Sequence, residues 1–494
     1  MANEALPKAG QTLLINGNWR AANDSSTLPL INPANGTELT QIAQASASDI
    51  AEACLAAANA FPTWAGLSGR ERAHILQCAA AIYRERYLED SPRWLTLENG
   101  KPLNDSLKEC RYSADVLDFY AAEARRFRGS HFAGDQGATH SFVFQQPVGV
   151  VAAIIPWNFP VDLLAWKIGP GLAAGCTFVI KPSEEAPLAA LLLVKACEEA
   201  GLPPGTLNVL TGDGQVGAAL IERPEVSLVA FTGSVATGKR VAQAAAKGLK
   251  RTLLELGGSA PFIVCRDANL DLAVPEALRR CFSHTGQICI SVNRIFVQRD
   301  LLEEFTDRFV AAASQLHVTS DGLAEPAADM GPLMNAHAVA HVQAHIDQAR
   351  SAGATLLLGG SRPRDARFPS DGFYLQPTVL GAVSADMRVM QEETFGPVAP
   401  IASFHTLEEA IHAANSTPYG LAAYVYTQDL DAAFYASQRL QFGGIGINVN
   451  DVTDIRSPFG GMKQSGLGRE MGEPGLDAYR EMKHVRYRLQ SPRQ

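Results

Sequence analysis

A thiol, a carboxylate and a side-chain amide stand out in this sequence, because covalent acyl chemistry needs one of each. Cys289 closes Phe282-Ser-His-Thr-Gly-Gln-Ile-Cys289, just past a Gly-Gln pair at the expected end of a helix. A free thiol titrates at about pH 8.5, so a helix terminus, backbone N–H groups or a nearby base must help it act as a nucleophile. Taken alone, such a cysteine is more often a core residue. Its companions change that weighting. Glu255 ends an apolar strand and leads Gly257-Gly258, where a carboxylate emerging at a sharp turn is placed to act as a general base. The bland reading is a solvated strand-end carboxylate. Asn158, in Ile155-Pro-Trp-Asn-Phe-Pro160, is an amide between two prolines, suited to donate to a developing oxyanion.

Two further stretches suit a dinucleotide. Lys181-Pro-Ser-Glu184 follows a strand end, where Lys181 and Glu184 can meet ribose hydroxyls. A carboxylate there repels a 2′-phosphate, which favours NAD over NADP. Phe231-Thr-Gly-Ser234 is a strand, a glycine turn and a helix start, able to receive a pyrophosphate. Alone, each is also ordinary turn and cap chemistry. His337, His341 and His345 share one helix face. No Glu or Cys completes a metal set with them, so we read a solvated face and expect no metal.

Strands and helices alternate from Gly149 to Glu255, which implies a parallel sheet covered on both faces. A second alternation begins after Gly258: strand 261–265, helix 270–285, strand 294–298, helix 300–316. Cys289 then belongs to a second α/β unit and Asn158 to the first, with the reaction site between them. Upstream, residues 11–45 read as short strands, and Ala47 to Glu98 as alanine-rich helix with a cap at Ser46 to Asp49 and a stop at Gly100. A further helix covers about Asp105 to Arg126. Thr139 to Phe144 alternates like a projecting strand, which usually finds a partner chain. The tail from Gly443 reads as glycine-rich loop ending in a polar segment.

The whole chain sets outer limits. At 494 residues it fits two to four domains, and 47% apolar with 19% charged residues is a soluble globular mix. A net charge of −9 offers no basic field for nucleic acid or an acidic membrane. The eight cysteines include no CxxC and no disulfide-framework spacing, and Met1 to Ala5 lacks a secretory leader. The expectation is cytoplasmic.

With these pieces in place, the chain resembles the NAD(P)-dependent aldehyde dehydrogenase superfamily over nearly its whole length. The match rests on Pro156 to Pro160, Lys181 to Glu184, Phe231 to Ser234, Glu255 to Gly258 and Gly286 to Cys289. Glu392 to Pro397 and Pro458 to Glu470 complete it. The resemblance implies Cys289 as nucleophile, Glu255 as general base, Asn158 with the Cys289 N–H as oxyanion hole, and Lys167 as a proton relay. It implies Pro156, Trp157, Lys181, Ser183, Glu184, Gly233, Ser234, Leu256, Glu393 and Phe395 for the cofactor, NAD rather than NADP. Phe159, Trp166, Ile288, Ile290, Arg456 and Phe459 are the expected substrate residues.

The fold implied is a Rossmann-type cofactor domain (1–125 and 148–257), an α/β catalytic domain (258–465) and a small β oligomerisation element (126–147 and 466–494). Homodimers or homotetramers are expected.

The substrate implied is a small-molecule aldehyde. Succinate-semialdehyde members are broadly similar, but they carry arginines where this chain has Trp166 and Ser283. The Ala165 to Lys167 segment looks more like members acting on uncharged aldehydes. The Asn450 to Arg456 loop looks like lactaldehyde- and glyceraldehyde-type members. Arg456 is placed either to bind an anionic or hydroxylated tail or to make a surface salt bridge. A CoA-acylating relative, a non-catalytic structural member and an unrelated reductase are the rival readings.

Overall fold

Runs of Val, Ala and Ile between glycine and proline turns make the expected strands. The computed structural model describes residues 6–135 and 139–489. In it, strands Val150–Ile154, Thr177–Lys181, Leu207–Val209, Val226–Gly233 and Arg251–Leu256 alternate with helices Pro160–Ala174, Leu188–Glu199, Gly214–Glu222 and Val235–Lys247. The strands pair in parallel, with Val150–Ile154 central between Val226–Gly233 and Thr177–Lys181. Gly466–Leu467 extends one edge antiparallel, and Leu13–Ile15 with Asn18–Arg20 the other. The register sets Lys181 opposite Ile154, and Glu255 between Thr232 and Gly466. Lys181 and Glu255 therefore both arrive at carboxyl ends of strands, where open α/β sheets bind ligands.

The second sheet begins with the fully buried strand Ala260–Val264, directly after the Gly257-Gly258 turn. Its strand order is Thr355–Leu358, Thr378–Gly381, Val398–Phe404, Val292–Gln298, Ala260–Val264, Ala422–Tyr426, Gly444–Ile447. Only the first pair is antiparallel. A third sheet joins Ser130–Ala133, Thr139–Pro147 and Arg480–Arg488, all antiparallel.

That last strand lies in the segment the residues showed only as polar, and it fits the small β element that the resemblance implied. Arg480–Arg488 is mostly exposed, so it carries no apolar alternation; backbone pairing from Arg480 opposite Pro147 to Arg488 opposite Thr139 holds it. Residues 1–5, 136–138 and 490–494, parts of the opening, the projecting segment and the tail, lie outside the described residues.

The expected helical stretch is three α-helices, Ala47–Gly66, Gly69–Ile82 and Asp90–Asn99. Ser46 and Asp49 form a capping box at its start. At its end Gly100 takes φ 84°, and a Cβ there would stand 2.5 Å from Pro332. The histidine face of helix Ala336–Ser351 is not simply solvated. His345 is buried between Thr394 (3.1 Å) and Glu392 (3.3 Å), and burial pushes its ring down to about 4, so it is neutral. Among the described residues no His, Cys, Asp and Glu cluster could hold a metal, and no helix is long and apolar enough to cross a membrane.

Candidate active site

Helix Leu270–Phe282 stops at Ser283, and three residues then take left-handed backbone angles: His284 (φ 48°), Thr285 (φ 57°) and Gly286 (φ 73°). Non-glycine residues pay for this conformation, so tertiary contacts must hold it. Thr285 Oγ1 donates to Gly331 O (3.0 Å) and Gln287 Nε2 to His284 O (3.2 Å). Gln287 Oε1 accepts from Met334 N at 2.9 Å. A Cβ on Gly286 would lie 2.2 Å from Gly396 O. The Gly-Gln pair thus builds a pinned turn, and Cys289 sits in the next turn before strand Val292–Gln298. It is not at a helix terminus, which corrects that part of the sequence reading.

The turn between strand Val150–Ile154 and helix Pro160–Ala174 carries Asn158, whose Nδ2 donates to Gln287 O at 3.1 Å. The backbone here is clamped from below: Asn99 Nδ2 donates to Trp157 O (2.7 Å) and Lys101 Nζ to Asn158 O (2.8 Å). Lys101 is itself buried against Glu109, whose other oxygen accepts from Val161 N and Asp162 N. Neither Asn99 nor Lys101 was singled out from the sequence; their signal was only the Asn-Gly-Lys-Pro turn.

Glu255 is buried, and neither carboxyl oxygen has a hydrogen-bond partner among the described residues. Burial, and secondarily Glu470, hold its carboxyl well above the usual range, with Lys167 opposing. Lys167 Nζ donates to Glu470 Oε1 (2.7 Å) and Thr232 Oγ1 (2.6 Å), which places the expected lysine beside the glutamate. Burial, then Glu393 and Glu255, push the Cys289 thiol up to about 12, against the pull of Arg280.

Asn158, Glu255 and Cys289 share the wall of one cavity of about 1150 Å³. Pro156, Trp157, Gly233, Ser234, Leu256, Glu393 and Phe395 also line it, as do Phe159, Trp166, Ile288, Ile290 and Phe459. Trp166 meets Phe459 edge-on with centroids 5.1 Å apart, and Phe395 (φ 49°) meets Trp157 at 5.6 Å. Glu393 Oε1 accepts from Gly258 N at 2.9 Å, and burial holds its carboxyl at about 7. A Cβ on Gly257 would stand 2.1 Å from that carboxylate and would push it aside. Ser234 caps helix Val235–Lys247, its Oγ accepting from Thr237 N at 3.2 Å.

Five expected residues stand outside the wall. Lys167 lies behind Glu470. Lys181 pairs with Glu184 at 2.7 Å, and Ser183 Oγ accepts from Glu185 N at 3.3 Å. Arg456 does not reach the cavity: its side chain is 77% exposed and makes a two-point contact with Asp454 (3.0 and 2.7 Å). The cavity instead holds a cation the sequence reading passed over, Arg280, one helical turn before Ser283 and therefore on the same helix face.

The family model described as "Aldehyde dehydrogenase family" matches residues 19–485. The chain is 41% identical to succinate-semialdehyde dehydrogenase [NADP(+)] of Escherichia coli K12, over 96% of this chain and 97% of that one. It is 40% identical to a 3-sulfolactaldehyde dehydrogenase of Pseudomonas putida, over 96% of this chain and 96% of that one. A solved betaine aldehyde dehydrogenase of Staphylococcus aureus in complex with NAD+ superposes with TM-score 0.95 at 34% identity, covering 99% of this chain and 97% of that one. Likeness of this extent in sequence and structure makes the protein a member of the aldehyde dehydrogenase family, an NAD(P)-dependent oxidoreductase.

Proposed function

We propose that Cys289, Glu255 and Asn158 carry out the aldehyde oxidation, with NAD as the preferred dinucleotide. The observation that carries this reading is the meeting of all three side chains on one cavity wall, from the end of strand Arg251–Leu256, the turn after strand Val150–Ile154 and the turn before strand Val292–Gln298. The residues present fit a dinucleotide. Gly233 and the uncrowded N-terminus of helix Val235–Lys247 suit a pyrophosphate, and the buried Glu393 carboxylate suits ribose hydroxyls. Glu184, paired with Lys181 at a strand's carboxyl end, supports NAD, because a carboxylate beside the ribose would repel a 2′-phosphate.

The Cys289 thiol loses its proton to the raised Glu255 carboxylate, or to water, and the sulfur adds to the aldehyde carbon. Asn158 donates to the oxygen as it becomes negative. Oxidation of this thiohemiacetal, for which the bound dinucleotide supplies the hydride acceptor, leaves a thioester on Cys289. Glu255 then takes a proton from water, and the hydroxide frees the carboxylic acid. Lys167 and Glu470 stand behind Glu255 to pass that proton on. Phe159, Trp166, Ile288, Ile290 and Phe459 shape the substrate side. The semialdehyde and sulfolactaldehyde for which the two relatives are named both carry an anionic group, which supports such a substrate here.

We also infer a cytoplasmic homodimer or homotetramer. Phe144 and Tyr487 are exposed on one face of the third sheet and Phe132 and Met482 on the other, apolar side chains that suit a second copy. The sheets suit the domain division given above, except that Gly466–Leu467 joins the cofactor sheet. The test is Cys289→Ala, expected to form no reduced nicotinamide from any aldehyde while still binding NAD+; normal turnover by that variant ends the assignment.

A further inference from the structure

Three hydrogen-bond donors on the cavity's substrate side have no protein partner. Arg280 Nε, Tyr112 Oη and Trp166 Nε1 are all buried, and none is hydrogen-bonded among the described residues. They come from three elements: helix Leu103–Glu123 (Tyr112), helix Pro160–Ala174 (Trp166) and the last turn of helix Leu270–Phe282 (Arg280). Buried donors left unmade are costly, so their convergence on one cavity points to a ligand rich in acceptors.

Arg280 adds charge to this set. Its side chain is 8% exposed, its Nη2 lies 3.1 Å from Asp451 Oδ2, and its guanidinium stands 5.9 Å from the Tyr424 ring centroid. Asp451 is 40% exposed, so it shares the guanidinium without enclosing it. The other acids nearby are otherwise committed. Glu109 is taken by Lys101 and two backbone N–H groups. Asp162 binds Ser113, and burial with Glu109 beside it holds its carboxyl well above the usual range.

We propose that Arg280, with Tyr112 and Trp166, forms the subsite for an anionic group on the substrate, so that the protein oxidises an aldehyde bearing a carboxylate or sulfonate. The inference rests on the aldehyde-oxidising reading above. A planar guanidinium with its Nε free suits a two-oxygen contact to either anion. A neutral aldehyde would leave all three donors unpaired.

The test is steady-state kinetics with NAD+ on short aldehydes of matched length ending in carboxylate, sulfonate, carboxamide or methyl. The expected result is a kcat/KM at least about 10-fold higher for one or both anions than for the amide, and the ratio of the two shows which anion is the substrate group. Arg280→Met should lose about 10- to 100-fold more kcat/KM on the anionic aldehyde than on the methyl one, the excess lying mainly in KM, because the loss of its pull on the Cys289 thiol is common to both. Tyr112→Phe removes only an unpartnered hydroxyl and serves if Arg280→Met does not fold; it should raise KM for the anion alone. Equal use of acid and amide, or equal loss on charged and neutral aldehydes in the variants, overturns the subsite while leaving aldehyde oxidation standing. Failure to oxidise any of the four refutes the subsite together with the reading beneath it.

Discussion

Replacing Asn158 by Ala isolates the oxyanion contact. The side-chain amide has two N–H donors, and only one is used, on Gln287 O at 3.1 Å. The second is therefore free for the oxygen of the tetrahedral intermediate. Losing one such donor costs about 3 kcal/mol in the transition state. At about 1.4 kcal/mol per decade, that slows turnover by roughly two orders of magnitude. The fold should lose far less. One hydrogen bond of about 1 kcal/mol disappears, while Lys101 and Asn99 still hold the carbonyls of Asn158 and Trp157. The assay is formation of reduced nicotinamide under saturating aldehyde and NAD+, beside a melting curve. A kcat within about threefold of the parent, in a protein that melts normally, would refute the oxyanion role.

Glu255→Gln should still acylate Cys289 yet deacylate slowly, so rapid-mixing experiments should show a first-turnover burst followed by little steady-state rate; an undiminished steady rate contradicts a base role. Glu470→Gln removes the like charge that helps hold Glu255 high. The basic form of Glu255 appears as pH rises through its raised value, so deacylation climbs with pH, and the variant's climb should begin at lower pH. An unshifted or upward-shifted profile would count against that coupling. Lys101→Met leaves Glu109 buried without its cation, a loss of about 3 kcal/mol or more. Calorimetry should show a lower Tm together with a reduced kcat, and Lys101→Arg should recover part of both.

How much of this could be read from the residues differs from element to element. The strands from Val150 to Leu256 were legible because burial on both faces writes an apolar run into the chain. The Arg480–Arg488 strand was not, since only its backbone is engaged and exposed side chains are free to be polar. Cys289, Glu255 and Asn158 were legible from the glycine and proline turns that carry them. Arg280 was not, because an arginine in the last turn of a helix is ordinary, and only the packing of Tyr424 and Asp451 shows that it faces inward. Arg456, left open between a substrate contact and a surface salt bridge, makes the salt bridge: its loop reaches the cavity through Asp451 and Thr453, while its own side chain turns out to Asp454.

The short strand Gly466–Leu467 bears on how the enzyme is born. It closes the open edge of Arg251–Leu256, and three residues later Glu470 supplies the counter-charge of Lys167. A nascent chain halted on the ribosome before this point already owns its nucleophile and its amide. It also has a bare strand and a stranded ammonium in its interior, so competence to react arrives only once Gly466 to Glu470 have been made.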